Sequence, residues 1–311
     1  MRLISYRHKS EAGVGVMTDD TGFVALPKAA PDLPRSMRGL LEMEGGVARA
    51  GAAARGKAAD LRLADVTLDP VVPDPHVIWA LALNFKRHIE ETGLTTSREW
   101  PHVFIRHPGS QVGHLQPLLC PPPEVERAYD YEGELAVIIG RAGRHIPVDK
   151  AASHIAGFAC YNEGSTRNFQ SHNRQFGLGK NFEGSGSFGP WLMTPDEFGN
   201  PYDKTLVTRL NGKERQRTPL NDMLFNIEQV IHYLSTGMKL RPGDVIVMGT
   251  PGQLEPQPDD KECAPENQFG PIKVKGQVHM KPGDTLEVEI TGLGVLRNPV
   301  VADAPKAYRA G

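Results

Sequence analysis

The chain has 311 residues, with 35 Lys and Arg against 37 Asp and Glu, a formal charge of −2, and 39% hydrophobic and 23% charged residues. That is the composition of a folded globular protein of one or two domains, and it excludes a disordered chain. Near-balanced charge leaves no field of one sign, so neither nucleic acid nor an anionic membrane is expected as a partner.

In chain order, residues 1–70 read as a small N-terminal α/β domain. Val14 to Met17 and Phe23 to Leu26 flank Asp19-Asp20-Thr21-Gly22, a hairpin pattern, and residues 36–59, rich in Ala, Arg and Gly, predict one or two short helices. Three prolines within 69–75 mark a linker, with a second, β-rich domain over 71–311. There, His76 to Leu83 and Leu135 to Ile139 predict buried strands, and Asn211-Gly212 after Leu206 to Leu210 predicts a tight hairpin. Arg241-Pro242-Gly243-Asp244 and Lys281-Pro282-Gly283-Asp284 are matching turns, each launching a strand. Leu220, Met223, Leu224, Ile227, Val230, Ile231 and Leu234 have helical spacing, with an end near Gly237. The fold class expected is α+β and β-rich. Three cysteines (Cys120, Cys160, Cys263) without paired spacing fit a reducing, cytoplasmic setting. The N-terminus has no apolar core of a signal peptide, and no apolar run is long enough to span a membrane.

Four short segments could carry chemistry. In Tyr131-Glu132-Gly133-Glu134-Leu135, strand alternation puts Glu132 and Glu134 on one face at the entrance of an apolar strand. Such a pair is either a solvated strand end or two carboxylates gathered by a hard dication such as Mg²⁺. In Lys86-Arg87-His88-Ile89-Glu90-Glu91, helical spacing places His88 and Glu91 together, either as a surface pair or as a base with its orienting carboxylate. Cys160 to Gln170 concentrates polar groups after an apolar segment, and Gly179-Lys180-Asn181-Phe182-Glu183 places a lysine among small and aromatic residues. Gly184-Ser185-Gly186-Ser187-Phe188-Gly189 matches a dinucleotide fingerprint in letters only, because Pro190 follows where a helix should begin. His102, His107 and His114 match no zinc spacing and read as structural or substrate-facing.

Together these segments resemble the fumarylacetoacetate hydrolase family over roughly residues 76–301. The landmarks are Leu83 to Glu91, Asp130 to Leu135, Asn162 to Gln170, Gly179 to Glu183, Gly249-Thr250-Pro251-Gly252 and Gly292 to Val300, in that order. The resemblance implies a mixed β-sheet roll or barrel, a homodimer, and a site at one mouth. It implies Glu132, Glu134 and Glu163 as ligands of Mg²⁺ or Mn²⁺, and His88 with Glu91 as the water-activating pair. Lys180 would assist at a substrate oxygen or in proton transfer, Thr250 would bind a substrate carboxylate, and Arg106, Arg167 and Gln170 would support substrate binding. Glu163 stands where the family commonly has Asp, Asn168 and Glu183 where it often has Asp, and Glu255 to Gln268 reads as an insertion near Thr250.

The activity so implied is metal-dependent hydrolysis of a C–C bond in a 2,4-dioxo acid, acylpyruvate or fumarylacetoacetate-like, through a metal-stabilised enolate. The alternatives are decarboxylation or isomerisation of an oxo-dicarboxylate in aromatic catabolism, and a metal-binding family member without activity. The partner expected is a small oxo-acid substrate.

Overall fold

Every residue of the strand Gly133–Ile139 is buried, and its side chains divide between two cores. Leu135, Val137 and Ile139 enter one apolar cluster, while Ala136 and Ile138 enter another on the opposite face. A strand covered on both faces reads as a continuous apolar run rather than an alternation. In this computed structural model, which describes residues 1–91, 99–173, 175–254 and 278–303, that strand lies inside a 12-stranded sheet.

From one edge, ten of its strands run Leu61–Arg62, Gly22–Ala25, Glu11–Met17, Arg2–His8, Gly186–Met193, Ile155–Asn162, Gly133–Ile139, Val245–Val247, Ile78–Ala82 and His102–Arg106, while Thr67–Leu68 pairs with Arg2–His8 and Gln111–Val112 with Gly186–Met193 off this path. Most neighbours are antiparallel, but Val245–Val247 runs parallel to Ile78–Ala82. The sheet is therefore mixed, and its described strands end at two edges rather than closing into a barrel. A five-stranded sheet, in the order Lys213–Pro219, Thr205–Leu210, Thr285–Ile290, Gly294–Ala302, Leu118–Cys120, packs on the face carrying Leu135 and Val137. The helix Ile227–Gly237 covers the same face through Val230, Ile231 and Leu234. The short helices Met37–Glu42 and Gly46–Ala54 cover the other face through Met37, Leu40 and Ala50.

The N-terminal strands extend the main sheet, because Leu3 pairs with Leu192 of the strand Gly186–Met193. The proline-rich stretch is also drawn in. Val71 and Val72 are buried, and the Val71 N–H donates to Phe188 O at 3.3 Å. The long helix begins at Ile227, later than the apolar spacing from Leu220 suggests. Asn226 and Gln229 form a reciprocal capping box there, while the Leu224 N–H is taken by Asn84 O at 2.7 Å. The Asn211-Gly212 hairpin forms as expected, with φ of 54° and 76°, as a two-residue turn with left-handed backbone requires. The fingerprint decoy runs directly into the strand Gly186–Met193, where a dinucleotide fingerprint would open a helix. No described helix is long and apolar enough to cross a membrane.

Candidate metal centre

Register brings the glutamates together. Gly133 pairs with Asn162 and Glu134 with Tyr161, so Glu132 and Glu163 meet at the same end of adjacent strands. Two bonds lock this end: the Glu163 N–H donates to Glu132 O at 2.8 Å, and the Glu132 N–H donates to Asn162 Oδ1 at 3.1 Å. One carboxylate oxygen from each of Glu132, Glu134 and Glu163 lies within 4.8 Å of the others, and all three residues are buried.

Cations surround the triad. Lys180 Nζ donates to Glu132 Oε2 at 2.5 Å and to Glu163 Oε2 at 2.8 Å. Arg167 Nη2 is 2.6 Å from Glu132 Oε1, and the same guanidinium binds Asp130 through Nε at 2.8 Å and through Nη2. Arg167 Nη1 also donates to Gln170 Oε1 at 2.8 Å. Burial by itself would raise the Glu132 carboxyl, but Arg167 and Lys180 outweigh it and hold it well below the usual carboxylate range. Glu163 is pushed up to about 7, first by burial and then by the neighbouring Glu132 charge, against the pull of Lys180. Glu134 is raised well above its ordinary value by burial and by the charges of Glu163 and Glu132.

The triad suits a dication. Glu134 Oε1 and Glu163 Oε1 are buried and have no hydrogen-bond partner, the Arg106 guanidinium standing 3.8 Å from the latter, which is costly for a carboxylate oxygen unless a cation meets it at bonding distance. The other oxygen of Glu134 accepts the Gly249 N–H at 2.5 Å, which fixes the carboxylate plane. An all-carboxylate oxygen set is what Mg²⁺ or Mn²⁺ favours.

A cavity of about 520 Å³ opens beside the triad, lined at its inner end by Glu132, Glu163, Arg167 and Lys180. His88, Gln170 and Thr250 also line it, so six of the expected functional residues share one space with the lysine. His88 is buried on the helix Lys86–Glu91. Glu91 ends that helix, and its side chain is outside the described residues, as is the 255–268 segment. Arg106 is placed differently. It is 0% exposed and absent from the cavity wall. Its guanidinium donates to Gly164 O at 3.1 Å and Ser185 Oγ at 3.2 Å, and stands 3.8 Å from Glu163 Oε1. Its strand turns the side chain into the protein, where it stands beside Glu163 and Gly164.

Some residues that build the site carry no signal by type. Asn84, fully buried, donates to Met248 O at 2.8 Å and Phe225 O at 3.1 Å, and accepts the Phe225 N–H at 2.9 Å, anchoring the helix of His88. Gln216 accepts the Gly133 N–H at 3.0 Å and donates to Thr250 Oγ1 at 2.8 Å, joining the triad strand to the Thr250 wall. Gly249, at φ 92°, has no room for a side chain, since a Cβ would stand 2.9 Å from Asn84 Cβ. Of the three noted histidines, His107 and His114 are structural, accepting the N–H groups of Gly109 and Arg297 at 3.0 Å each. His102 lies at the cavity mouth.

Comparison with known proteins gives a consistent answer. Residues 77–301 match the family model described as fumarylacetoacetate (FAA) hydrolase C-terminal. The chain is 33% identical over 307 residues to the human (Homo sapiens) protein named oxaloacetate tautomerase FAHD2A, mitochondrial, covering 97% of this chain and 92% of that one. Among solved structures, fumarylacetoacetate hydrolase from Exiguobacterium antarcticum superposes with a TM-score of 0.76 at 28% identity, covering 97% of this chain and 99% of that one. A 5-carboxymethyl-2-hydroxymuconate delta-isomerase from Mycobacterium smegmatis superposes with a TM-score of 0.71 at 26% identity, covering 98% and 100%.

Proposed function

The chain belongs to the fumarylacetoacetate hydrolase family, and on that basis we propose that it is a divalent-metal-dependent enzyme that hydrolyses a C–C bond in a small 2,4-dioxo acid by way of an enolate. The observation that carries this reading is the buried triad with two unbonded carboxylate oxygens, set beside Lys180 at the inner end of a cavity that also receives His88. A dication held by Glu132, Glu134 and Glu163 would supply Lewis-acid stabilisation of the charge that enolisation places on the 2-oxo group.

The remaining work falls to the chain's own groups. His88, oriented by Glu91, takes a proton from water, a step of the kind that contributes about 10²–10⁴-fold. The hydroxide adds to the distal carbonyl carbon. The bond from that carbon to the methylene breaks, its electron pair passing to the 2-oxo acid fragment as an enolate. Lys180 supports the proton transfer that returns this fragment to its keto form, and the other product is a carboxylic acid. Thr250 and Gln170 hold the substrate carboxylate at the wall, while Arg167 keeps Glu132 ionised. A homodimer and a cytoplasmic location belong to the same proposal.

A second reading omits the water. The likeness to a protein named as a tautomerase, and the fold shared with a named isomerase, favour proton transfer within an oxo-dicarboxylate; decarboxylation of such an acid uses the same enolate and belongs to this reading. The two part on products. Protein loaded with Mg²⁺ or Mn²⁺ is incubated with acylpyruvates, oxaloacetate and a hydroxydienoate, and the mixtures are followed by NMR. Two acids from an acylpyruvate support hydrolysis. Enol–keto exchange or CO₂ release without cleavage supports the second reading. Metal-independent turnover, or none on any of these acids, contradicts both.

A further inference from the structure

We propose that the outer half of the cavity is a subsite for an apolar or aromatic group at the far end of the substrate, read by Phe104 and Phe176. This rests on the enolate reading, which places the 2-oxo-carboxylate end at the triad.

The wall has a direction. Lys180 Nζ, bound to two of the glutamates, lies 5.5 Å from the Phe104 ring centroid. Phe104 meets Phe176 edge to face at 5.3 Å, and Phe176 stacks on His102 at 5.5 Å and 26°. Lys180 is buried, Phe176 half-buried and His102 exposed, so the series runs from the inner end of the site to its mouth. Leu81, Ala82 and Leu83 add further apolar lining. A volume of about 520 Å³ is in the range of sites that enclose a whole small organic molecule, well beyond a three-carbon headgroup.

Phe176 is held in place at a cost. Its φ is 63°, a left-handed backbone that a bulky residue rarely adopts. Strain of that kind persists where surrounding contacts impose it, and it gathers at ligand-clamping positions. The turn before it is pinned by the Phe176 N–H to Asn173 O at 3.4 Å, and by His172 packed 4.9 Å from the Phe169 ring. Charge agrees with shape. Among the described residues lining the cavity, the Lys and Arg side chains are Lys180 and Arg167, and both lie at the inner end, paired with carboxylates. The polar lining outside the triad end is His102, Ser171, His172 and Asn173, with no Lys or Arg among the described residues; beside the Phe104 and Phe176 rings a second carboxylate would lose water without a cation of that kind, whereas an alkyl or aryl tail would gain edge and face contacts.

The test uses oxamates, unreactive mimics of a 2-oxo-carboxylate with a variable tail, titrated by calorimetry into the full-length, Mn²⁺-loaded protein at pH 8. N-benzyloxamate is expected to bind about tenfold or more tightly than N-methyloxamate, the scale on which apolar pockets discriminate. N-oxalylglycine, with a carboxylate tail, is expected to gain nothing over N-methyloxamate. Phe176→Ala should abolish the benzyl preference and leave oxalate binding unchanged, while Phe176→Leu should keep most of it, which separates a lost wall from a lost fold. Tighter binding of N-oxalylglycine than of N-benzyloxamate, or a benzyl preference that survives Phe176→Ala, overturns the subsite. Metal-dependent oxalate binding without tail preference overturns the subsite alone. A tail preference in the absence of any metal-dependent oxalate binding overturns the headgroup reading alone.

Discussion

Gly133 lies so close to Thr208 that a Cβ on the glycine would stand 2.0 Å from Thr208 Oγ1. This contact presses the second sheet against the point in the chain that separates Glu132 from Glu134. A side chain there must push the two sheets apart and move both carboxylates.

Gly133→Ala is therefore expected to lower stability by about 1–3 kcal/mol, the usual cost of overpacking, and to weaken Mn²⁺ binding. Adding Thr208→Ala removes the hydroxyl and leaves a Cβ contact of 3.3 Å, tight but tolerable. The double variant should recover much of both losses, as measured by chemical denaturation and metal titration.

Glu134→Gln separates folding from metal binding. Burial and the neighbouring carboxylates favour the neutral form of Glu134, so a neutral isostere that can still accept the Gly249 N–H should leave metal-free stability at pH 7 unchanged or slightly raised. The rise in melting temperature on adding Mn²⁺ should shrink sharply, because an amide oxygen is a poor substitute for a carboxylate ligand. A large loss of metal-free stability would contradict the assignment.

Acidity follows with a definite sign. Glu163 has a folded pKa near 7, above the ordinary carboxylate value of 4.5. Its contribution to metal-free stability is then full below about 4.5 and is lost as pH rises through 7. A bound dication prefers the ionised carboxylates. The metal-induced shift in melting temperature should therefore be larger at pH 7.5 than at pH 5.5, a comparison that thermal scans with and without Mn²⁺ make directly.

Removing Arg167 strands a buried carboxylate, that of Asp130. Arg167→Met leaves Asp130 without its cation, while Glu132 keeps Lys180, and should cost about 3–5 kcal/mol, as breaking one side of a buried pair does. Adding Asp130→Asn should return part of that loss, and urea denaturation of the four proteins completes the cycle.

Asn84→Ala should act on His88 from a distance. It leaves the buried Met248 carbonyl unpaired, at about 1–3 kcal/mol, and removes two half-buried bonds to Phe225. With its anchor gone, the helix of His88 should lower kcat more than it changes KM. Equal kcat in the variant would show that the helix holds its position by other contacts.

Local signals in the chain mark where polar groups gather, while the roles expected of them come from the family resemblance. Glu132 and Glu134 flank an apolar strand, Glu163 and Arg167 follow another, and Lys180 sits in a short turn of small residues. Arg106 and Asn84 were not legible in that way. The resemblance makes Arg106 a substrate-binding residue, and nothing local shows that its side chain turns inward to Glu163 and Gly164. The bonds of Asn84 reach residues 141 and 164 positions away.

What the sequence by itself determined are the strands, turns and polar clusters, because alternation, apolar runs and turn chemistry act over a few residues. Only the tertiary structure decided that the N-terminal strands share the main sheet, that the long helix starts at Ile227, and that a lysine bridges two of three converging glutamates. Those outcomes depend on register between distant strands and on burial, which sets both the charge of a carboxylate and the partners a polar group must find.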